Sequence, residues 1–293
     1  MTGFPEGRLV DVGGGVRLHC VEVGSGPLVV LLHGFPEFWY SWKHQLPALA
    51  EAGFRVVAPD LRGYNLSDKP KGARNYFGEV LAADVAGLIR ALGAERAHVV
   101  GHDWGGGIAW VFAMQHPELL DRLAILNAPH PDRFLRGLMT WKQLKKSWYM
   151  FYFQLPWLPE RMMRARDFGG LRHLLRRDPV RQGAFTPEDI ERYVAAMAQP
   201  GALTAAINYY RALFRRTPWR VRARFRVVER PVQVIWGERD RYLGAELAEF
   251  DPAWVKDGRV ERIPEASHWV HWDAPEQVNR RLIGFLSGGG GSP

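Results

Sequence analysis

The sequence predicts an α/β protein in which a mainly parallel sheet is flanked by helices and carries an inserted all-helical segment. Three observations support this class. Short apolar runs rich in Val, Ile and Leu alternate with stretches of helical periodicity. The alternation stops after Leu126 and resumes at Val232. Between Ala97 and Trp110 a strand, a sharp turn and a helix follow one another directly.

The predicted elements begin with an antiparallel hairpin over residues 9–12 and 16–23, which flank three consecutive glycines. Six continuous apolar runs follow, and their length and composition suit strands buried on both faces of a parallel sheet. They cover residues 28–32, 54–58, 97–100, 123–126, 232–236 and 259–263. Apolar residues recur at helical spacing over 80–92, and the last helix is predicted to begin with Asp273 as N-cap and Pro275 in its first turn.

The helical insertion is predicted to form a lid. One of its helices begins at Thr186, an N-cap residue that is followed by Pro187. An insertion between two strands of an open sheet lies over the carboxyl ends of the strands, where such sheets bind ligands. We therefore expect a core over residues 1–128 and 230–287, a lid over 129–229 and a flexible glycine-rich tail over 288–293.

Composition narrows the class of protein. The chain is 47% hydrophobic and 12% aromatic, which indicates a packed globular protein. It has no run of about 18 apolar residues and no secretory leader, so we expect no membrane span and no membrane partner. The single cysteine, Cys20, excludes an internal disulfide and gives no metal-ligand cluster. These features predict a cytoplasmic protein without metal or cofactor, which acts as a monomer or homodimer.

The chain is basic, with a net charge of +8 and a pI near 9.8. Its arginines between residues 161 and 230 are scattered among apolar and acidic residues, a pattern typical of solvated helix faces. No nucleic-acid motif accompanies them, so we expect a surface bias and no nucleic-acid partner.

Asp103 is the central residue of a Gly-x-Asp-x-Gly turn, Gly101-His102-Asp103-Trp104-Gly105. In a nucleophile elbow the central side chain is exposed by a strained backbone, and the glycines avoid clashes. A carboxylate that attacks an ordinary carbonyl gives a reactive mixed anhydride, whereas attack on a saturated carbon gives a stable ester. The turn therefore favours epoxides and alkyl halides as substrates. The alternative is an ordinary turn carboxylate or helix N-cap.

A base and its partner are needed to release the ester. Asp240 follows the strand at 232–236, and His268 lies in the loop after the next strand, in the order nucleophile, acid, histidine. Asp240 is expected to orient His268, which takes a proton from the attacking water. Glu238 and His271 are the competing candidates. Asn127 occupies the other place where hydrolases keep this acid, and it carries no charge.

Two backbone N–H groups are expected to stabilise the oxyanion that forms at the ester carbonyl. One belongs to Trp104, directly after Asp103. The other belongs to Phe35, in the loop His33-Gly34-Phe35-Pro36 that follows the strand at 28–32. The alternative is a plain Gly-Pro turn.

With these parts in place, the chain resembles an epoxide hydrolase of the α/β-hydrolase family over almost its whole length. The loop His33-Gly34-Phe35-Pro36 is similar to the family's His-Gly-x-Pro loop, and the turn around Asp103 is similar to its elbow. Asp240 and Ser267-His268-Trp269 are similar to its acid and base. The resemblance implies conversion of epoxides to diols, with detoxification as a role.

The resemblance also implies two lid tyrosines that hold and protonate the epoxide oxygen. Tyr149 and Tyr210 match them by position, with Tyr152 and Tyr209 as neighbours that could be confused with them. A tyrosine of ordinary pKa, about 10, is protonated at neutral pH and can donate its proton as the ring opens. Ordinary aromatic packing is the alternative for each.

The lid is expected to provide an apolar pocket for a small hydrophobic epoxide. The residues predicted to line it are Trp141, Trp148, Phe151, Tyr152, Leu155, Trp157 and Tyr209.

Two rival functions remain at this stage. A haloalkane dehalogenase uses the same nucleophile and base, but Phe35 stands where dehalogenases commonly have Asn, and the tyrosine pair favours an epoxide. A binding protein that has kept the hydrolase shell without turnover is less favoured, because every catalytic part is present.

Overall fold

The computed structural model describes residues 3, 5–217 and 222–288. Within this part of the chain, eight strands form one sheet. They are β1 (Arg8–Asp11), β2 (Arg17–Val23), β3 (Leu28–Leu32), β4 (Arg55–Pro59), β5 (Ala97–His102), β6 (Leu120–Leu126), β7 (Val232–Gly237) and β8 (Gly258–Ile263).

The sheet has the strand order β1-β2-β4-β3-β5-β6-β7-β8. The pairings of β1 with β2 and of β2 with β4 are antiparallel, and the other pairings are parallel. The predicted α/β class and mainly parallel sheet are therefore confirmed. In the parallel part the carboxyl ends of β3, β5, β6 and β7 lie side by side, so the loops that follow them meet.

Both faces of the central strands are buried, as their apolar sequences require. In β3, Val29 and Leu31 pack on one side of the sheet, and Val30 and Leu32 pack on the other. The cluster around Val30 and Leu32 continues into the lid, where it includes Tyr210. This face of the core therefore joins the sheet to the lid.

The helices that pack on the sheet or form the lid lie between these strands along the chain, and the last two follow β8. They are α1 (Gln45–Glu51), α2 (Gly78–Ala91), α3 (Trp104–Gln115), α4 (Pro131–Gly137), α5 (Trp141–Lys146), α6 (Trp148–Tyr152), α7 (Leu158–Arg177), α8 (Pro187–Ala198), α9 (Ala202–Leu213), α10 (Val270–Asp273) and α11 (Pro275–Leu286). Helix α7 is interrupted at residues 165–168, where the backbone leaves the helical conformation.

The described secondary structure between β6 and β7 is helical, apart from an isolated bridge between Val228 and Val255. The predicted all-helical insertion is thus present as α4 to α9. Its bounds, 129–229, and those of the core segments, 1–128 and 230–287, stay predictions. Of the expected tail over 288–293, residues 289–293 lie outside the described part of the chain.

The start of α8 agrees with the sequence analysis, and the start of α11 does not. The Thr186 hydroxyl accepts the Asp189 N–H at 3.2 Å, and Asp189 accepts the Thr186 N–H at 2.8 Å, a reciprocal capping box. In contrast, Ala274 is the N-cap of α11, and Asp273 ends α10. The Asp273 carboxylate accepts hydrogen bonds from Ser267 and Arg181 instead, so these donors compete with the cap. Among the described helices, none is long and apolar enough to cross a membrane.

Candidate active site

Asp103 occupies the turn between β5 and α3 in a backbone conformation that side chains rarely adopt. Its φ is 50° and its ψ is −120°. The glycines around Asp103 are packed so closely that a Cβ on them would overlap neighbouring atoms. A Cβ on Gly34 would lie 2.4 Å from the Asp103 Cβ, and one on Gly105 would lie 2.0 Å from the Leu32 carbonyl oxygen. The glycines are therefore required by close approach of three chain segments around the Asp103 side chain.

The Asp103 carboxylate faces two predicted partners. Its Oδ1 accepts the Phe35 backbone N–H at 2.9 Å, and its Oδ2 lies 3.4 Å from His268 Nε2. The Trp104 N–H is the first of α3 and therefore has no acceptor within that helix. The structure thus brings Phe35 and His268 to the Asp103 carboxylate from two different loops.

His268 lies between two carboxylates. Its Nδ1 is 2.7 Å from Asp240 Oδ2, and its ring is buried. Because an ionised carboxylate only accepts hydrogen bonds, Nδ1 carries the proton, and Nε2 faces Asp103. Burial opposes the charged imidazolium, but Asp240 and Asp103 together hold the pKa of His268 well above its usual value. The ring is oriented for proton transfer at Nε2.

Asp240 is buried, yet it is held as a carboxylate. Burial disfavours its charge, but His268 and the hydrogen bonds around it lower its pKa. Its Oδ1 accepts the N–H groups of Tyr242 at 2.7 Å and Leu243 at 2.9 Å, and its Oδ2 accepts the Asn127 side chain at 2.9 Å. Asn127 was noted in the sequence only as an uncharged substitute for an acid. The structure shows it as a hydrogen-bond donor to that acid.

The competing candidates lie in other environments. Glu238 is exposed and forms an ion pair with Arg262 at 3.1 Å. The His271 Nε2 lies 2.9 Å from the Ser41 hydroxyl, in a fully buried position. The geometry therefore favours Asp240 and His268 as the pair that serves Asp103.

Tyr149 and Tyr210 line one cavity of about 220 Å³ together with Asp103 and Trp104. Their ring centroids are 5.8 Å apart. Burial, reinforced by the nearby Asp103 charge, raises the pKa of each tyrosine well above its usual value. Both hydroxyls therefore keep their protons at neutral and mildly alkaline pH.

The neighbouring tyrosines have other surroundings. Tyr152 is partly exposed, packs beside Trp148 and lies outside the cavity lining. The Tyr209 ring does line the cavity, but its hydroxyl donates to the Arg62 carbonyl oxygen at 2.7 Å. Tyr209 thus contributes its ring, and its hydroxyl is engaged elsewhere.

The predicted apolar wall of the pocket needs correction. Five of the residues assigned to it are exposed and lie outside the cavity lining, namely Trp141, Trp148, Phe151, Leu155 and Trp157. The apolar wall comes instead from Leu81 of α2, Ile108 and Val111 of α3, Met150 of α6 and Leu213 of α9. Aromatic composition indicated an apolar lid, but it could not show which helix faces turn inward.

Charged side chains also line the cavity. Glu79 forms ion pairs with Arg216 and with Arg224, and all three side chains belong to the lining. The cavity lining therefore combines the Asp103 carboxylate, apolar side chains and an ion cluster of one carboxylate and two guanidinium groups.

A family model described as the alpha/beta hydrolase fold matches residues 27–275. The chain belongs to the α/β-hydrolase family.

This α/β-hydrolase is 44% identical to the AB hydrolase superfamily protein YfhM of Bacillus subtilis, over 93% of this chain and 95% of that protein. It is 41% identical to epoxide hydrolase 4 of Homo sapiens, over 93% of this chain and 76% of that protein. A point mutant of an epoxide hydrolase from Bacillus megaterium matches the fold with a TM-score of 0.88 at 36% identity, over 96% of this chain and 100% of that one.

Sequence reasoning missed a buried polar network behind the catalytic turn of this α/β-hydrolase. The Glu37 carboxylate accepts hydrogen bonds from the Gly34 N–H, the Ser41 hydroxyl and His102 Nδ1. The other His102 nitrogen lies 2.9 Å from the His268 carbonyl oxygen. The network thus links the Phe35 loop, the elbow and the His268 loop. Glu37 directly follows His33-Gly34-Phe35-Pro36, and this acidic residue was the available signal.

Glu37, His102 and His271 are also the type of residues that bind metals, with ligand atoms within 4.8 Å of one another. Both His102 nitrogens already face hydrogen-bond acceptors, and the Ser41 hydroxyl and His271 Nε2 are bonded to each other. The three side chains therefore already form hydrogen bonds that connect loops of the core.

Proposed function

We propose that this chain is an epoxide hydrolase, which adds water to an epoxide and releases a vicinal diol through an ester on Asp103. One observation carries the proposal. A single cavity is lined by the Asp103 carboxylate, which is backed by the buried His268, and by Tyr149 and Tyr210, whose hydroxyls keep their protons. Relatives that are named epoxide hydrolases and are 36% to 42% identical to this chain support it.

In the first step, Asp103 attacks a ring carbon. The bond from carboxylate oxygen to carbon forms while the carbon–oxygen bond of the ring breaks. The departing oxygen takes a proton from Tyr149 or Tyr210, so no alkoxide has to exist free in an apolar cavity. The Phe35 N–H holds Oδ1 at 2.9 Å, which leaves Oδ2 to become the ester oxygen.

In the second step, His268 removes a proton from water, and the resulting hydroxide attacks the ester carbonyl. The N–H groups of Phe35 and Trp104 hold the oxyanion. Esterification has by then removed the Asp103 charge, which is one of the two charges that raise the pKa of His268. The pKa of His268 therefore falls after the first step, and the residue becomes a base when a base is needed.

The oxyanion then collapses, the bond between the Asp103 acyl carbon and the ester oxygen breaks, and the departing diol oxygen takes the proton from His268. The regenerated Asp103 carboxyl group loses its proton to the tyrosinate left by the first step, which restores the enzyme.

The mechanism is tested by trapping. In single-turnover mixing with an epoxide in heavy-oxygen water, we expect the label in the Asp103 carboxylate. The variant His268→Gln should accumulate an adduct whose mass increase equals the substrate mass, because the first step needs no base. Asp103→Ala is the control and should form no adduct.

A matched bromoalkane distinguishes the dehalogenase alternative. We expect styrene oxide or a linear terminal epoxide to be turned over in preference to a bromoalkane of the same carbon skeleton. Faster halide release than diol release would favour the dehalogenase. No adduct with any epoxide would contradict the enzymatic proposal.

The cellular setting belongs to the same proposal. The free, buried Cys20 is consistent with a reducing compartment, and we place the protein in the cytoplasm, where it acts as a monomer or homodimer on small hydrophobic epoxides. Removal of such electrophiles is a detoxifying role.

A further inference from the structure

The lid exposes large aromatic side chains on its outside. Trp141, Trp148 and Trp157 are between 64% and 68% exposed, and Phe151 is 47% exposed. Indole rings are rarely left in water in such numbers, and contiguous exposed apolar side chains mark interaction sites. We call these four residues, with the basic side chains of residues 139–166, the lid patch.

The spacing of α5 and α6 explains how the lid patch is presented. The two helices are separated only by Ser147. The buried residues over this stretch recur at helical spacing and are Gln143, Ser147, Met150 and Phe153. Trp141, Lys145, Trp148 and Tyr152 recur at the same spacing and are exposed or partly exposed. Trp141 and Trp148 therefore lie on the face of these two helices that points away from the core.

The lid patch is also strongly basic. Residues 139–166 contain six Lys or Arg residues and one acidic residue, Glu160, and so carry five units of the chain's net charge of +8. Glu160 is itself paired with Arg211 at 2.7 Å. Five of the six basic side chains form no ion pair with a carboxylate in the described part of the chain, namely Lys145, Lys146, Arg161, Arg164 and Arg166. Of these, Lys146 donates to the Asp240 carbonyl oxygen at 2.7 Å.

Basic and aromatic side chains are interleaved within the lid patch. The Lys145 ammonium lies 5.2 Å from the centre of the Trp141 ring. Trp157 lines a shallow surface groove together with Arg161 and Arg164. Tryptophan favours the boundary between water and lipid, and Lys and Arg next to it are attracted to anionic headgroups.

We propose that the lid patch docks this enzyme on the surface of a membrane that contains anionic lipids. The binding is peripheral and needs no spanning helix, so it revises the expectation of no membrane partner. A second copy of the chain fits the lid patch less well. A two-fold contact would oppose the same surface on both subunits and bring two clusters of positive charge together.

The lid patch lies next to the cavity. Helix α6 exposes Trp148 and Phe151, whereas Tyr149 and Met150 from the same helix line the cavity. Phe151 packs 5.1 Å from Phe214, which directly follows the cavity residue Leu213. If the proposed function holds, a docked enzyme receives apolar epoxides from the lipid phase at the helices that form its active site.

Docking is tested by co-sedimentation of the full chain with vesicles and needs no substrate, so its outcome is separate from that of the proposed function. We expect binding to phosphatidylcholine vesicles that contain phosphatidylglycerol and at least tenfold weaker binding to phosphatidylcholine alone. The triple variant Lys145→Glu, Arg161→Glu, Arg164→Glu should bind anionic vesicles at least tenfold more weakly. So should the variant Trp141→Ser, Trp157→Ser, whose charge is unchanged.

The matched control places the same charge change on other exposed basic residues. The variant Lys71→Glu, Arg74→Glu, Lys256→Glu should keep most of the vesicle binding. Thermal unfolding and activity on a water-soluble epoxide should be unchanged in both triple variants, which shows that they fold. Equal loss in both triple variants would mean non-specific attraction to charge and would overturn the proposal. So would full binding by the two-tryptophan variant, or a dimer in solution that its substitutions dissociate.

Discussion

Phenylalanine differs from tyrosine only by the missing hydroxyl group. Replacing Tyr149 or Tyr210 by phenylalanine therefore tests proton donation alone. We expect Tyr149→Phe and Tyr210→Phe each to slow ring opening by about 10²-fold, and the double variant by about 10⁴-fold, because each hydroxyl makes its own hydrogen bond to the departing oxygen and the two losses add in free energy. Rapid-quench measurement of adduct formation follows this step.

Tyr152→Phe is the matched control on the same helix. Because Tyr152 lies outside the cavity lining, this variant should form the adduct at a rate within twofold of that of the unmodified enzyme. Ring opening at the normal rate in the double variant at positions 149 and 210 would exclude both tyrosines as acids.

The raised pKa of His268 leads to a prediction about pH. Only the neutral ring can accept a proton from water, so hydrolysis of the ester should slow as pH falls and His268 becomes protonated. Attack by Asp103 does not need the neutral ring. We therefore expect the ester to accumulate in acid, and mass spectrometry of quenched single-turnover reactions measures it.

Esterification removes the Asp103 charge and so lowers the pKa of His268 in the ester intermediate. We therefore expect kcat to fall in acid around a pH that is lower than the pKa of His268 in the free enzyme. An ester level that does not change as the pH is lowered would show that His268 is not the base.

The residues that sequence reasoning could place are those whose neighbours along the chain determine their position. Asp103 is fixed by a turn and its glycines, and Asp240 and His268 lie in the loops that follow β7 and β8. Asn127 and Glu37 could not be placed in this way. Their partners, Asp240 and His102, are 113 and 65 residues away, and only the fold brings them together.

At the level of elements, the contact between the β3 loop and the elbow sets the position of Asp103. A methyl group on Gly34 would overlap the Asp103 Cβ and carboxylate, at 2.4 and 2.6 Å. We expect Gly34→Ala to lower kcat/KM by at least about 10²-fold, since small displacements of a reacting group have effects of this size. Steady-state kinetics together with thermal unfolding measures it.

Gly284→Ala in α11 is the control, because a Cβ there meets no atom within 4 Å. Its kcat/KM should be unchanged. Unchanged kinetics in Gly34→Ala would mean that the two loops do not limit the position of the nucleophile.

Elements were predicted well where apolar periodicity is strong, and less well where tertiary contacts decide. The buried strand β3 was placed at its observed bounds, because all five of its residues are buried. The sequence could not show which face of α6 is buried. Trp148 and Met150 are both apolar, and only packing shows that Trp148 is exposed and Met150 is buried. Asp273 was misplaced for the same reason.

At the level of the whole molecule, Asp189 joins the lid to the core. Besides capping α8, it accepts the Lys43 ammonium at 2.7 Å and the Tyr40 hydroxyl at 3.0 Å. Burial opposes its charge, but these hydrogen bonds lower its pKa overall. We expect Asp189→Asn to lower the free energy of unfolding by about 3 kcal/mol at neutral pH, as for a broken buried ion pair.

Because the folded-state pKa lies below the unfolded value, this stability is fully present above the unfolded pKa of about 3.9. It is lost as the pH falls through the folded value, so the unfolding curves of the variant and the unmodified protein should converge in acid. Glu188→Gln, an exposed neighbour in the same helical turn, should have little effect at any pH. A difference that persists unchanged in strong acid would assign the stability to something other than the Asp189 charge.

The hydrogen bond between Asn127 and Asp240 has a consequence for how such enzymes diverge. These residues lie just after two adjacent parallel strands and are in contact at 2.9 Å, so we expect a negative charge at either position to reach the same imidazole. The exchange Asn127→Asp with Asp240→Asn should therefore recover part of the turnover that Asp240→Asn alone loses. Such a pair offers a route by which a lineage can relocate its acid through two substitutions while the histidine and the nucleophile stay in place.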